Sequence, residues 1–301
     1  MFWKIMLILL LLLILFFFEE AYRFIFCRPA SALFTKLFDS KGHEPNYYIT
    51  RDQAADRLRK VPHETWTIRG HKGEQLKGFY YPNGAHGKKI VFLIHGYRSN
   101  HIETGGLFYE YYKSRGIDFF CCDHTAHGES EGKFIGFDVW ESQDCLHWID
   151  FLREKFGDDT EIMLHGFSMG GGTVLQMSSH CPEQVKFIVS DSGFPSAYAS
   201  LAHQIGPLYH PLRWINWIVA GYDWNDSDVS ASLAQSRLPI LFVHGCDDKL
   251  VPAKCGPALF SGYQGPKDGW FPEKTRHIEA IYTQPEEYAR RVDAFLTKYF
   301  H

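Results

Sequence analysis

The sequence predicts an α/β protein: a mostly parallel sheet covered by helices on both faces, preceded by an apolar N-terminal helix. Three observations predict it. From about residue 65 onward, short apolar β-rich segments alternate with segments of helical periodicity. The middle segments, such as Ile90-Val91-Phe92-Leu93-Ile94 and Ile240-Leu241-Phe242-Val243, are near-continuous apolar runs, the pattern of strands buried on both sides. A Gly-x-Ser-x-Gly pentapeptide stands between one such strand and a helical segment.

Composition supports a globular chain. Of 301 residues, 45% are apolar and 22% charged, which argues against a disordered or fibrous protein. Thirty-one basic against thirty-five acidic residues give a net charge of −4, so there is no strong positive field for nucleic acid. Aromatic residues at 16% supply ample material for a core and an apolar pocket.

The first twenty residues stand apart. Ile5 to Phe18 is an uninterrupted apolar run, extended by Phe2 and Trp3. As a helix, Phe2 to Phe18 spans about 25 Å, close to the ~30 Å hydrocarbon core of a bilayer. A cleaved signal peptide would need a small-residue site just after the run, where Glu19-Glu20 stand instead; Ala30-Ser31-Ala32 lies too far along. The expectation is an uncleaved single-pass anchor over residues 1–28. Lys4 on one side and Arg23, Arg28, Lys36 and Lys41 on the other leave the side of the membrane open. Residues 29–62 read as a connector with a short polar helix at Thr50–Lys60, stopped by Val61-Pro62. The seven cysteines are odd in number and lack C-x-x-C spacing, so the pattern signals neither a disulfide framework nor a zinc site.

Residues 63–301 carry the alternation. Strands are predicted at Thr65–Arg69, Leu76–Tyr81, Lys89–Ile94, Ile117–Cys122, Glu161–His165, Val185–Ser190 and Pro239–His244, the first two as an edge hairpin. Helices are predicted at Glu103–Ser114, Trp140–Lys155, Met169–His180, Ala253–Phe260 and Glu286–Tyr299. The last aligns Tyr288, Val292, Phe295, Leu296 and Tyr299 on one face. Residues 194–222 break the pattern with Phe194, Tyr198, Tyr209, Trp214, Trp217 and Tyr222. The stretch is too apolar for a solvated loop and reads as a small helical cap. Its aromatics either pack the cap onto the sheet or line a pocket for an apolar substrate group.

Gly166-Phe167-Ser168-Met169-Gly170 is the most informative segment. On a sharp strand-to-helix turn, glycine at 166 and 170 removes colliding Cβ atoms and Ser168 projects its hydroxyl at a helix N-terminus. No Gly-Lys-Ser/Thr follows, which excludes a P-loop. A serine nucleophile needs a base, and the base an acid. On such a turn the partners follow in the order acid, then histidine. Of sixteen histidines only His277 and the terminal His301 come late enough, and His277 is the candidate base. The acid candidates are Asp248 first, Asp247 as close rival and Asp191 third. Two backbone donors for an oxyanion are expected at Met169 and Tyr97, with His95 holding the loop that carries Tyr97.

Leu93 through Tyr97, Asp123 through Ser130, Gly166 through Gly170, His244 through Pro252, and His277 together resemble the α/β-hydrolase superfamily over roughly residues 65 to 300. Within it the chain looks most like bacterial membrane-anchored hydrolases described as serine aminopeptidase-like (S33-type), a label that implies little about substrate. The resemblance implies an eight-stranded sheet and matches the family acid to Asp248, in His-Gly-x-x-Asp-x-x-Val-Pro. It also marks a departure: Thr125 stands where arginine is frequent, which puts a charge-based role for the 123–130 loop in doubt.

The expected chemistry is a carboxylesterase- or lipase-like attack by Ser168 on a small-molecule acyl substrate, lipid-like ones included, through an acyl-enzyme. It calls for no metal and no organic cofactor. Peptide hydrolysis is the alternative. An aminopeptidase would need an acid for the substrate amine, for which Asp223, Asp226 and Asp228 are available, or these acids form a solvated loop. A non-catalytic binding protein on the same fold is the third reading.

Overall fold

The computed structural model describes residues 2–34, 43 and 45–300. Eight strands form one sheet: β1 (Glu64–Arg69), β2 (Gln75–Tyr81), β3 (Lys89–Ile94), β4 (Asp118–Cys122), β5 (Glu161–Phe167), β6 (Val185–Asp191), β7 (Ile240–Val243) and β8 (Lys267–Trp270). Their spatial order is β1-β2-β4-β3-β5-β6-β7-β8. β1 pairs antiparallel with β2, and β2 with β4; every other pairing is parallel. The seven strands read from the sequence are present. β8 is the addition: Lys267-Asp268-Gly269-Trp270 has no apolar run, because as an edge strand it is held by its backbone ladder to β7.

The continuous apolar runs bury both faces of the sheet. Ile90, Phe92 and Ile94 of β3 enter one core with Ile162, Leu164 and Phe242. Val91 and Leu93 enter the opposite core with Met163, Val189 and Leu241. Alternate side chains of a strand point to opposite faces, so two cores need apolar residues at every position.

Helices cover each face. Against the first core pack α4 (Val139–Phe156) through Trp148, Ile149 and Leu152, and α5 (Met169–Gln176) through Val174 and Leu175. α8 (Cys255–Gly262) adds Leu259 there. Against the second pack α3 (His101–Lys113) through Phe108 and Tyr112, and α9 (Pro285–Tyr299) through Tyr288, Val292 and Phe295. Each fully buried side chain of this size contributes about 1.5–3 kcal/mol. α5 is shorter than its pattern suggested, ending in turns after Gln176.

α2 (Pro45–Leu58) begins a turn earlier than the charged run Thr50–Lys60 indicated and lies flush on α3. Gly106 makes this possible, since a Cβ there would meet the Ala54–Ala55 backbone at 2.7 Å.

α1 (Phe2–Phe26) is one continuous helix, long and apolar enough to cross a membrane. Its apolar length is exposed, whereas Ala21, Tyr22 and Phe26 at its end are buried. They join a third core under the cap, where the Phe26 ring lies 4.1 Å from that of Trp224. The cap consists of short helical turns from Tyr198, then α6 (Tyr209–Val219); α7 (Val229–Gln235) leads back to β7. Phe194, Tyr209 and Tyr222 are buried packing residues, while Tyr198, Trp214 and Trp217 are exposed.

Candidate active site

The C-terminal end of β5 runs straight into Ser168, whose backbone takes φ 55° and ψ −115° before α5 begins at Met169. A positive φ on a non-glycine residue stores roughly 1–3 kcal/mol of strain, which the surroundings must hold. Here the Ser168 N–H donates to the Asp191 carbonyl at 2.8 Å, and the Gly172 N–H donates to the Ser168 carbonyl at 3.0 Å. A side chain at Gly166 would strike the Gly170 carbonyl, and one at Gly170 would strike that of Ile94. The two glycines therefore let β5, α5 and the end of β3 close on one another, and the hydroxyl stands at the carboxyl edge of the sheet.

Two late loops complete the constellation. The Ser168 hydroxyl lies 2.7 Å from His277 Nε2, and His277 Nδ1 lies 2.6 Å from Asp248 Oδ2. Asp248 Oδ1 accepts from the Leu250 and Val251 amides, each at 2.9 Å, and His244 Nε2 lies 3.3 Å from Oδ2. Burial alone would raise this carboxyl. The charge of His277 and the hydrogen bonds from His244 and His277 outweigh it and hold Asp248 well below the ordinary carboxylate range. The His277 loop is pinned next door, where the Ile278 N–H donates to Ser192 Oγ at 3.1 Å.

The loop after β3 closes against the serine. A Cβ on Gly96 would lie 3.2 Å from that of Ser168. Two buried histidines shape the loop. His95 Nδ1 lies 2.8 Å from the Gly96 carbonyl, and His95 Nε2 accepts the His124 amide at 3.1 Å. His127 Nε2 accepts the Arg98 amide at 3.0 Å, and its Nδ1 lies 2.9 Å from the Thr125 carbonyl. Both rings thus donate through Nδ1 and accept through Nε2, the neutral form; burial pushes His127 down to about 3. His95 holds the loop as its sequence position suggested. Tyr97 sits between the two clamped residues, and Met169 opens α5, where the first amides have no intrahelical acceptor.

Comparison with known proteins agrees with this fold. The sequence model of the family described as Serine aminopeptidase, S33, matches residues 85–220. The protein YqkD of Bacillus subtilis is 25% identical over 234 residues, 74% of this chain and 76% of that protein. Among solved structures, the Pyrococcus furiosus esterase Pf2001 superposes with a TM-score of 0.67 at 21% identity, covering 81% of this chain and 93% of that one. A puromycin-hydrolysing peptidase of Mycobacterium tuberculosis superposes with a TM-score of 0.62 at 14% identity, covering 79% of this chain and 40% of that one. The chain has the α/β-hydrolase fold.

Two cavities meet at Ser168. One of about 400 Å³ is walled by Phe137, Met169, Phe194 and Leu201, and also by Phe24 and Ile25 at the end of α1. The other, about 160 Å³, has His43, Tyr47, Arg51, Arg98, Glu103 and His277 in its lining. Neither the α1 residues nor those of α2 were legible as site residues, because nothing in a local pattern ties them to a serine more than a hundred positions away. Tyr97 links the pieces, its hydroxyl donating to the Ile25 carbonyl at 2.6 Å.

The remaining candidates separate clearly. Asp247 is exposed, and its amide donates to the Thr275 carbonyl. Asp191 is buried in another network: Ser192 Oγ donates to it at 2.8 Å and the Tyr288 hydroxyl at 3.1 Å, with His165 and Tyr112 following behind. Burial raises Asp191 to about 6. Asp223 is paired with Arg213 and caps a turn through Asn225, and Asp228 caps α7 through Ser230. Neither these two nor Asp226 lines a cavity at Ser168. His301 lies outside the described residues. Thr125 donates to Asp144 at 2.8 Å, so a hydroxyl donor stands where a cationic side chain was in question. Cys122, His124 and Cys145, all buried, bring one metal-capable donor each within 4.8 Å of the others. Cys122 ends β4 with His124 just after it, while Cys145 comes from α4, which is why no spacing motif displays the three together, and none lines either cavity.

Proposed function

We propose that this α/β-hydrolase is a serine hydrolase that cleaves a carboxylic ester or a related acyl bond through an acyl-enzyme intermediate. The observation that carries the reading is the hydrogen-bonded line Asp248–His277–Ser168 ending where the two cavities meet. His277 Nε2 takes the hydroxyl proton as Ser168 Oγ attacks the substrate carbonyl carbon. The carbonyl electrons move to oxygen, and the Tyr97 and Met169 amides are the proposed donors to that oxyanion. Collapse of the intermediate expels the alcohol, which takes its proton from His277. Water, deprotonated by the same imidazole, then attacks the acyl-enzyme and releases the acid and free Ser168. Asp248 keeps Nδ1 protonated and balances the imidazolium charge.

An ester with an apolar acyl group is the favoured substrate class. The Phe24, Phe137, Phe194 and Leu201 walls of the larger cavity suit the acyl part, and the smaller cavity, with Arg51 and Glu103 in its lining, suits the leaving group. Asp223, Asp226 and Asp228, the acids considered for an aminopeptidase, do not line these cavities, and Glu103, which does, faces Arg51 at 3.7 Å, which weighs against that reading.

The decisive experiment compares wild type with Ser168→Ala on a panel of esters, thioesters and peptides. Ester turnover is expected to fall by at least about 10⁴-fold in the variant. Wild-type rates in Ser168→Ala would end the proposal, and a panel in which only peptides are cleaved would redirect it.

We also read α1 as a membrane anchor, on its length, its apolarity and its exposed surface.

A further inference from the structure

α6 is amphipathic in an unusual way. Tyr209, Leu212 and Asn216 turn inward and are buried, while Trp214, Trp217 and Ile218, spaced i, i+3 and i+4, form a stripe on the opposite side. These three are 69%, 64% and 71% exposed, a large apolar and aromatic surface to leave in water.

Three observations say what covers it. First, α6 is fastened to α1: the Tyr22 hydroxyl donates to Asn216 Oδ1 at 3.0 Å, and Asn216 Nδ2 donates onward to the Tyr222 carbonyl. Second, the apolar surface is continuous from one helix to the other. Leu15 and Phe18 of α1 share a cleft of about 540 Å³ with Ile215 and Val219 of α6. Third, Arg23, Arg28 and Lys133 outnumber Glu19 in the lining of that same cleft, and although Arg23 pairs with Glu20, the cations sit where the apolar length of α1 ends, at the level of lipid phosphates. Tryptophan beside cationic side chains is the composition of a membrane interface.

We infer that α6 is a second membrane contact, its Trp214–Trp217–Ile218 face lying in the lipid interface beside α1. The occupant is the bilayer itself. This rests on the reading of α1 as an anchor and deepens the proposed substrate class. Phe24, which walls the larger cavity, lies only about 9 Å along α1 from Phe18, so that cavity sits at the lipid boundary and suits acyl groups carried by membrane lipids.

Tryptophan emission tests the inference, because Trp3 reports on α1 independently of the cap. The full-length chain is reconstituted into phosphatidylcholine vesicles with or without brominated acyl chains. Wild type, Trp3→Phe and the triple variant Trp3→Phe/Trp214→Phe/Trp217→Phe are compared; phenylalanine keeps each position apolar, and circular dichroism checks folding. The expected result is that bromolipid quenches Trp3→Phe clearly and the triple variant little. Quenching of wild type but not of Trp3→Phe would overturn the inference while leaving the anchor intact. Quenching that persists in the triple variant would overturn it as well, since Trp214 and Trp217 would not be its source. Absence of quenching in all three forms would remove the anchor reading and the inference together.

Discussion

Asp247 and Asp248 are chain neighbours with opposite surroundings, and the difference predicts their variants. Asp248 is buried, takes two backbone amides on one oxygen and meets His277 with the other. Asp248→Asn should therefore lower kcat about 10³- to 10⁴-fold in a folded protein, measured on any ester that wild type accepts. Asp247→Asn, at an exposed position, should leave kcat within about twofold of wild type. Asp191 supplies a stability test. Burial raises it to about 6, so the native state keeps a proton that the unfolded chain loses above its ordinary value near 4. Stability from this group is full below about 4 and declines as pH rises toward 6, by up to about 3 kcal/mol. Thermal unfolding of Asp191→Asn across that window should lack the wild-type decline; an unchanged slope would contradict the assignment. Ser168 and His277 were legible in the sequence because the turn motif and the order along the chain leave few choices. Asp248 was separated from Asp247 only by a family pattern. His127 and His244 were not legible, because their partners, the Arg98 amide and the Asp248 carboxylate, become neighbours only through folding.

At the scale of elements, close approach decides what each glycine does. Gly170 faces the end of β3 with no room for a side chain, and the opposing atoms are backbone carbonyls that cannot move aside. Gly170→Ala should cost more than about 3 kcal/mol and sharply reduce the yield of folded protein. Gly262, the last residue of α8, has open space around its Cβ position. Gly262→Ala should be neutral or stabilise by up to about 1 kcal/mol in the same thermal assay. The strands most visible in the sequence were those with two buried faces, since apolar runs are the direct consequence of two cores. β8 escaped because its ladder to β7 uses backbone groups that every residue carries. α2 was placed a turn late because Tyr47 and Tyr48 precede its charged run, and Tyr47 is buried where the smaller cavity needs a wall.

The whole molecule is organised around a helix that serves two regions. The exposed length of α1 has the features of an anchor, while its last turns fill the space under the cap and wall the cavity beside Ser168. If α1 spans a bilayer, the full-length chain should stay with membranes after an alkaline carbonate wash; release into the soluble fraction would argue against an anchor. The apolar run itself was plain in the sequence, but its docking under the cap was not, since Tyr22 and Asn216 meet across nearly two hundred residues. The central claim is that Ser168 is the nucleophile, and covalent labelling tests it most directly. The full-length protein is treated with a fluorophosphonate probe, digested, and mapped by mass spectrometry. The account predicts a single stoichiometric adduct on the peptide carrying Ser168, lost in Ser168→Ala and strongly slowed in His277→Ala. An adduct on a different residue, or none on a folded protein, would contradict it.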